Sequence, residues 1–153
     1  MWYTRLCNYR CIIDYVLVKK NNINLINLFL DVFCMSIVFL LYLLNNIVLK
    51  KTFQYTAVGW FFIGYFNDLI CPIGFMSYLN LVCSYAKIRI EKLLAIQVCV
   101  FAAGLVWEFV APIVKPNSVI DIWDLVCYQF GGILYYCALF FKNHCIGEGK
   151  NER

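Results

Sequence analysis

The chain has 153 residues, of which 63% are hydrophobic and only 14% are charged. Soluble domains are about half apolar and about one quarter charged, and a fold of this length cannot bury so large an apolar excess. The composition therefore excludes an ordinary soluble domain and indicates one compact domain in a lipid bilayer. The net charge of +4 is distributed in short clusters between apolar runs, which is typical of topology signals and not of nucleic-acid binding.

Residues 1–24 are predicted to form an interfacial segment followed by a polar linker. Large apolar side chains recur at helical spacing, namely Trp2, Tyr3, Leu6, Tyr9, Ile13, Val16 and Leu17. This periodicity predicts an amphipathic helix, lying either in the membrane interface or against the helical bundle. The segment ends in Lys19-Lys20 and has no small-residue cleavage site, so it does not resemble a signal peptide.

Residues 25–142 are predicted to form an all-α transmembrane domain with four spans. The spans are residues 25–49, 56–86, 93–114 and 122–141. The second is long enough for two short crossings, but Pro72 near its middle removes a backbone donor and disfavours helix before it. We therefore expect one crossing that is broken near Pro72.

The distribution of lysine and arginine supports a single crossing by the second span. With one crossing, ten of the 13 cations lie on the side of the N-terminus, and only Lys50, Lys51 and Lys115 lie on the other side. With two crossings this asymmetry disappears. The positive-inside rule therefore predicts cytoplasmic termini, with residues 143–153 as a polar cytoplasmic tail.

Three carboxylates, Glu108, Asp121 and Asp124, lie within 17 residues around the connection between the last two spans. Acidic side chains are costly near hydrocarbon, so their clustering at span ends predicts a site. The sequence Ser118-Val119-Ile120-Asp121 also fits a capping box, which gives Asp121 a structural alternative at the start of the last helix.

Two further acceptor groups are predicted deeper in the bilayer. Asp68 is near the middle of the second span, with Asn67 beside it as a polar partner. Tyr128 lies one helical turn after Asp124 and shares its face. The pair Gly131-Gly132 allows a neighbouring helix to approach this face closely. Hydrogen bonding between helices is the structural alternative for these polar groups.

Cysteine placement predicts neither a disulfide framework nor a metal site. The nine cysteines are scattered, mostly inside apolar runs, without a CxxC pair, and His144 is the single histidine. We therefore expect no metal and no cofactor.

The region from Glu108 to Gly132 resembles the VanZ-like family of small bacterial membrane proteins. The resemblance consists of Glu108 near a span end, a short proline-containing loop, Asp121 and Asp124 opening the next span, and Gly131-Gly132 within it. With the sequence around these positions, the resemblance covers about forty residues of the chain. It implies an integral protein of the cell envelope, linked through its known members to resistance against the glycopeptide teichoplanin.

The leading functional hypothesis is an outward-facing acidic pocket for a lipid-linked or peptidoglycan-related headgroup. Its predicted residues are Glu108, Asp121, Asp124, Tyr128, Asp68 and Asn67. Membrane lipids and an envelope precursor are the expected partners, with a second copy of the chain or another membrane protein as further candidates. Two alternatives remain open, a membrane enzyme acting on a lipid through an acid pair and a non-catalytic subunit of a larger complex.

Overall fold

The computed structural model of the protein describes residues 19–20, 25–114 and 121–148. Its elements are β1 (Lys19–Lys20), α1 (Leu25–Leu44), α2 (Lys50–Phe53), α3 (Phe66–Tyr85), β2 (Ile88–Arg89), α4 (Leu93–Val114) and α5 (Ile122–Glu148). Two π-helical segments, Asn45–Leu49 and Phe61–Tyr65, lie between α1 and α2 and directly before α3. The amphipathic helix predicted over residues 2–17 lies outside the described residues.

Four helical segments within the described residues are long and apolar enough to cross a membrane. They are Leu25–Phe53, Phe61–Tyr85, Leu93–Val110 and Ile122–His144. Large side chains such as Phe29, Leu40 and Phe109 are exposed on the outside of the bundle, where lipid tolerates them. The prediction of an all-α membrane bundle with four spans is confirmed.

The predicted break near Pro72 is wrong, because α3 runs without interruption from Phe66 to Tyr85. Pro72 is buried, and its ring packs against α5 at Gly131, where an added Cβ would lie 3.0 Å from Pro72 Cγ. A proline is tolerated inside a membrane helix when a neighbouring helix covers the backbone that it frees. The irregular backbone instead precedes α3, in the π-helical segment Phe61–Tyr65.

Helix α5 packs between α3 and α4, and α1 packs against α3. The two adjacent glycines of α5 allow the close approach of neighbouring helices that the sequence predicted. Gly131 faces α3 and Gly132 faces α4. An added Cβ at Gly132 would lie only 3.0 Å from Gln97 Nε2. The small contact between α3 and α4 leaves room between these helices. The buried core consists of Met76, Ile96, Val100, Tyr128, Tyr135 and Leu139.

A short antiparallel ladder marks one end of the bundle. Lys19 pairs with Arg89 and Lys20 with Ile88, which joins the segment before α1 to the connection between α3 and α4. Two of the basic clusters therefore share one end, as the predicted topology requires. We call this the ladder end, and we call the opposite end, where α4 ends and α5 begins, the acidic end.

Candidate functional site

Four of the predicted site residues meet at the acidic end, and together they form what we call the acidic cluster. Asp68 comes from α3, Glu108 from α4, and Asp124 and Tyr128 from α5. The Tyr128 hydroxyl donates to Asp68 Oδ1 over 3.3 Å, which is long for such a bond. The charge of Asp68 interacts with that of Glu108, and the charge of Asp124 interacts with both. Three different helices therefore supply one group of acids.

Glu108 is the most deeply enclosed acid of this cluster, with 7% of its surface exposed. It lies one turn beyond Gly104, so both residues share the face of α4 that packs on α5. An added Cβ at Gly104 would lie 2.7 Å from Tyr128 Cδ2, which shows how closely the two helices meet. Among the described residues, the Glu108 carboxylate has no hydrogen-bond donor. Burial of a carboxylate is unfavourable unless it is protonated or hydrogen-bonded, which makes Glu108 a candidate for contact with a ligand.

The acidic cluster carries an excess of negative charge. No salt bridge between described residues includes Asp68, Glu108 or Asp124, because all such pairs lie at the ladder end. The positive charge of Lys50 attracts the negative charge of Asp68, but the two side chains form no ion pair. Among the described residues, these three carboxylates therefore repel one another without an ion-pair partner, and the charge of Lys50 offsets part of that repulsion at Asp68.

Asp121 serves mainly as the N-cap of α5. Its Oδ1 accepts the backbone N–H of Trp123 over 2.9 Å, and its Oδ2 accepts the Tyr65 hydroxyl over 3.0 Å. This is the geometry of a capping carboxylate at a helix start. The capping role that the sequence predicted for Ser118 falls outside the described residues, and α5 begins at Ile122. Asp121 lies beside the acidic cluster, where its charge reaches Asp124.

Asn67 holds two helices together. Its Oδ1 accepts a hydrogen bond of 2.9 Å from Asn45 Nδ2, and the same amide donates to the Phe62 carbonyl over 2.9 Å. Asn45 is fully buried, so these bonds join the π-helical segments of the first two spans in the interior. The sequence predicted Asn67 as a partner of Asp68, whereas the structure pairs it with Asn45.

A cavity of about 890 Å³ lies between α3 and α4 and begins at the acidic cluster. Asp68 and Tyr128 line one end. From there the lining follows residues 68–79 of α3 and residues 99–110 of α4, about 16 Å along each helix. Its remaining lining is predominantly apolar and includes Pro72, Phe75, Leu79, Val100, Ala103 and Val110.

The cavity opens on the side of the bundle that would face lipid. Val106 and Trp107 line it and are each more than half exposed, at 63% and 55%. The volume falls within the range of small-molecule sites, which combine apolar walls with a few polar groups. A molecule could therefore enter from the bilayer and bring its polar group to Asp68.

A second polar cluster, at the ladder end, was missed by the sequence analysis. Arg89 donates to both oxygens of Asp31, over 2.7 and 3.1 Å. The Tyr135 hydroxyl donates to Asp31 Oδ1 over 3.1 Å and accepts from Asn80 Nδ2 over 2.8 Å. Burial opposes the charged guanidinium, but the hydrogen bonds and charge of Asp31 outweigh it and raise the pKa of Arg89.

Glu91 and Lys142 extend this second cluster and balance its charge. Glu91 Oε1 lies 3.1 Å from Arg89 Nε and 3.7 Å from Lys142 Nζ, and Lys142 also donates to Asn27 Oδ1 over 2.7 Å. Within this second cluster, two acids thus face two bases. The pattern Asn27–Asp31, one turn apart inside the first span, was a usable signal for a polar helix face.

Comparison with known proteins adds no relative: no protein-family model, no curated protein and no solved structure matches the chain. Within residues 25–114 and 121–148, no group of three or more His, Cys, Asp or Glu side chains is arranged to hold a metal ion. The acidic cluster and its adjoining cavity are therefore interpreted from their own geometry.

Proposed function

We propose that this integral membrane protein binds a membrane amphiphile in the cavity between α3 and α4. The cavity is about 16 Å long, and it is polar at one end, where Asp68 and Tyr128 line it, and predominantly apolar along the rest. This lengthwise division is the observation that carries the proposal, because it matches a headgroup followed by a hydrocarbon chain. The lateral opening beside Trp107 gives such a molecule a route from the bilayer.

The headgroup end of the ligand would lie at the acidic cluster. We propose a lipid-linked or peptidoglycan-related headgroup there, in a VanZ-like protein of the bacterial cell envelope. The support for this finer assignment is the sequence pattern of Glu108, Asp121 and Asp124 around a short loop, followed by Gly131-Gly132. Two of those three acids, Glu108 and Asp124, belong to the acidic cluster that adjoins the cavity.

Lipid analysis of the purified protein tests binding directly. Ala103 lines the cavity, so Ala103→Phe fills part of it, whereas Ala57→Phe makes the same change at an exposed position. Mass spectrometry of extracted lipids should show an amphiphile enriched over the bulk membrane in the wild type and in Ala57→Phe. The same species should be depleted in Ala103→Phe. Equal lipid composition in all three proteins and in the bulk membrane would refute the proposal.

A susceptibility assay tests the finer assignment. In a bacterial host that expresses the protein, we expect reduced susceptibility to teichoplanin, and Asp124→Asn should abolish this protection at equal membrane abundance. Protection that persists in the variant would remove Asp124 from the site. Absence of protection by the wild-type protein would contradict the link to resistance. It would not affect the proposal of amphiphile binding, which the lipid analysis tests separately.

An enzyme that acts on the bound lipid is a second candidate function. The observation that favours it is the pair Asp68 and Glu108, which interact from opposing helices beside the polar end of the cavity. Two acids in different surroundings are the usual requirement for general acid–base catalysis. Turnover of a lipid with a bell-shaped pH dependence, lost in Glu108→Gln while binding persists, would establish this activity. Binding without turnover of any envelope lipid would contradict it.

A further inference from the structure

We infer that the polar group held by the acidic cluster is a cation, so that the ligand is an amphiphile bearing an ammonium group. This inference rests on the proposed function, because it requires that the cavity hold an amphiphile at all. It adds the charge of the group that would contact Asp68, whose carboxylate interacts electrostatically with Glu108 and Asp124, and cavity shape alone does not determine that charge.

The first argument is charge balance. At the ladder end, Asp31 and Glu91 are matched by Arg89 and Lys142 through direct ion pairs. At the acidic end, the described residues offer Asp68, Glu108 and Asp124 no such partner. Within the described residues, the two acids of the ladder end are therefore paired directly with cations, whereas the acids beside the cavity form no ion pair and Lys50 acts on Asp68 only through its charge. A cationic ligand would supply the missing charge, whereas a phosphate or sulfate would be repelled.

The second argument is the position of Glu108. Its side chain is more than nine-tenths buried, and its charge interacts with Asp68, which lines the cavity. No described residue donates a hydrogen bond to it. An ammonium group offers donors together with positive charge, and charge-assisted hydrogen bonds are about twice as strong as neutral ones. A neutral hydroxyl offers a donor without relieving the repulsion between the acids.

The third argument is the aromatic lining near the acids. Trp107 and Tyr128 both line the cavity, and Trp107 immediately precedes Glu108 in α4. Aromatic faces attract ammonium groups, and tryptophan is the best of them. Acidic and aromatic groups therefore occur together at the end of the cavity where a headgroup would lie.

Trp107 also provides a reporter inside the cavity. The protein is prepared with Trp107 as its single tryptophan, in nanodiscs of the uncharged lipid digalactosyldiacylglycerol, and is titrated with chain-brominated dodecylammonium or with the matched brominated dodecanol. A second preparation retains only Trp123, which does not line the cavity and which reports the concentration of each probe in the surrounding bilayer. The difference in quenching between the two tryptophans gives binding in the cavity.

We expect the ammonium probe to quench Trp107 at about tenfold lower concentration than the alcohol, after correction by Trp123. Glu108→Gln should abolish this preference. Glu91→Gln, the same change at the ladder end, should retain it. Circular dichroism and a monodisperse elution profile verify folding, and Asp68→Asn replaces Glu108→Gln if that variant does not fold.

The outcomes separate the two proposals. Equal quenching of Trp107 by ammonium and alcohol, both above the Trp123 level, would overturn the cationic headgroup and retain the amphiphile site. Quenching of Trp107 no stronger than that of Trp123 for both probes would overturn the amphiphile site and the inference with it. A preference for the ammonium probe that survives both Glu108→Gln and Asp68→Asn would also overturn the assignment to these acids.

Discussion

Arg89 and Asp31 form a bidentate ion pair between positions 58 residues apart in the chain, with N···O distances of 2.7 and 3.1 Å. Both side chains are almost completely buried. The pair joins α1 to the connection between α3 and α4, and Tyr135 attaches α5 to the same carboxylate. One aspartate thus links three parts of the bundle at the ladder end.

Removing one member of this pair should strongly destabilise the protein. We expect Asp31→Asn or Arg89→Gln to lower the free energy of unfolding by about 3–5 kcal/mol, because each leaves its partner buried without compensation. Unfolding by sodium dodecyl sulfate in mixed micelles, followed by circular dichroism, measures this loss. The double variant should lose less than the sum of the two single variants. Additive losses would contradict direct coupling between the two side chains.

The contribution of Arg89 to stability should not vary with pH in the ordinary working range. Its pKa in the folded protein is raised, so the stabilisation that it provides is complete below its unfolded pKa and is lost only when pH rises through the higher folded pKa. Both values lie far in the alkaline range. The difference in unfolding free energy between Arg89→Lys and the wild type should therefore be constant from mildly acidic to mildly alkaline solution. A difference that changes across this range would show that another group titrates with the pair.

The contact between α3 and α5 at Gly131 should not tolerate a side chain. An added Cβ would collide with the Leu69 carbonyl oxygen, which belongs to the backbone and cannot rotate away. We expect Gly131→Ala to lower the free energy of unfolding by about 1–3 kcal/mol, the usual cost of overpacking. Gly64→Ala is the matched control, since an added Cβ there meets no atom within 4 Å. Equal stability of the two variants would show that α5 moves freely relative to α3.

Lys87 has a left-handed backbone conformation, with φ of 58°, just after the end of α3. A side chain in this region costs about 1–2 kcal/mol, and glycine removes most of that cost at helix ends. Lys87→Gly should therefore raise the free energy of unfolding by about 1 kcal/mol. Lys87→Ala removes the same charge and retains the strain, so it should not stabilise the protein. Stabilisation by both substitutions would assign the effect to the lysine charge.

The predicted orientation in the membrane can be tested with two engineered cysteines. In a variant without native cysteines, Tyr55→Cys and Lys87→Cys place single thiols at exposed positions in connections at opposite ends of the bundle. A membrane-impermeant maleimide applied to intact cells should label the first and not the second, because the positive-inside rule places Lys87 in the cytoplasm. The reverse pattern would invert the assigned topology.

Hydrophobic runs and the positions of cations predicted much of the fold, because both reflect the bilayer and not the details of packing. The run lengths gave the four spans, and the charge asymmetry favoured one crossing by the second span. The prediction of a break near Pro72 failed because local backbone preferences contain no information about neighbouring helices. In the structure, Gly131 of α5 packs against the proline. Contacts between helices override a local signal of this kind.

The candidate site was predictable in part for the same reason. Asp68, Glu108 and Asp124 stand out because acids are rare in apolar runs, whatever their partners. The pairings of Asn67 with Asn45 and of Asp31 with Arg89 depend on which helices are neighbours, and the sequence does not specify that order. Arg89 was interpreted as a topology signal, although the structure buries it in an ion pair.

The position of α5 between α3 and α4 has a consequence for how the protein is made. Helix α4 leaves the ribosome directly after α3 yet contacts it little, and its principal neighbour, α5, is synthesised after both. In a nascent chain that stops before residue 122, α1 and α3 would therefore pack against each other, whereas α4 would lie in the bilayer without its main packing partner. Insertion of the final helix is then the event that assembles the protein, and we expect truncated chains to be selectively degraded.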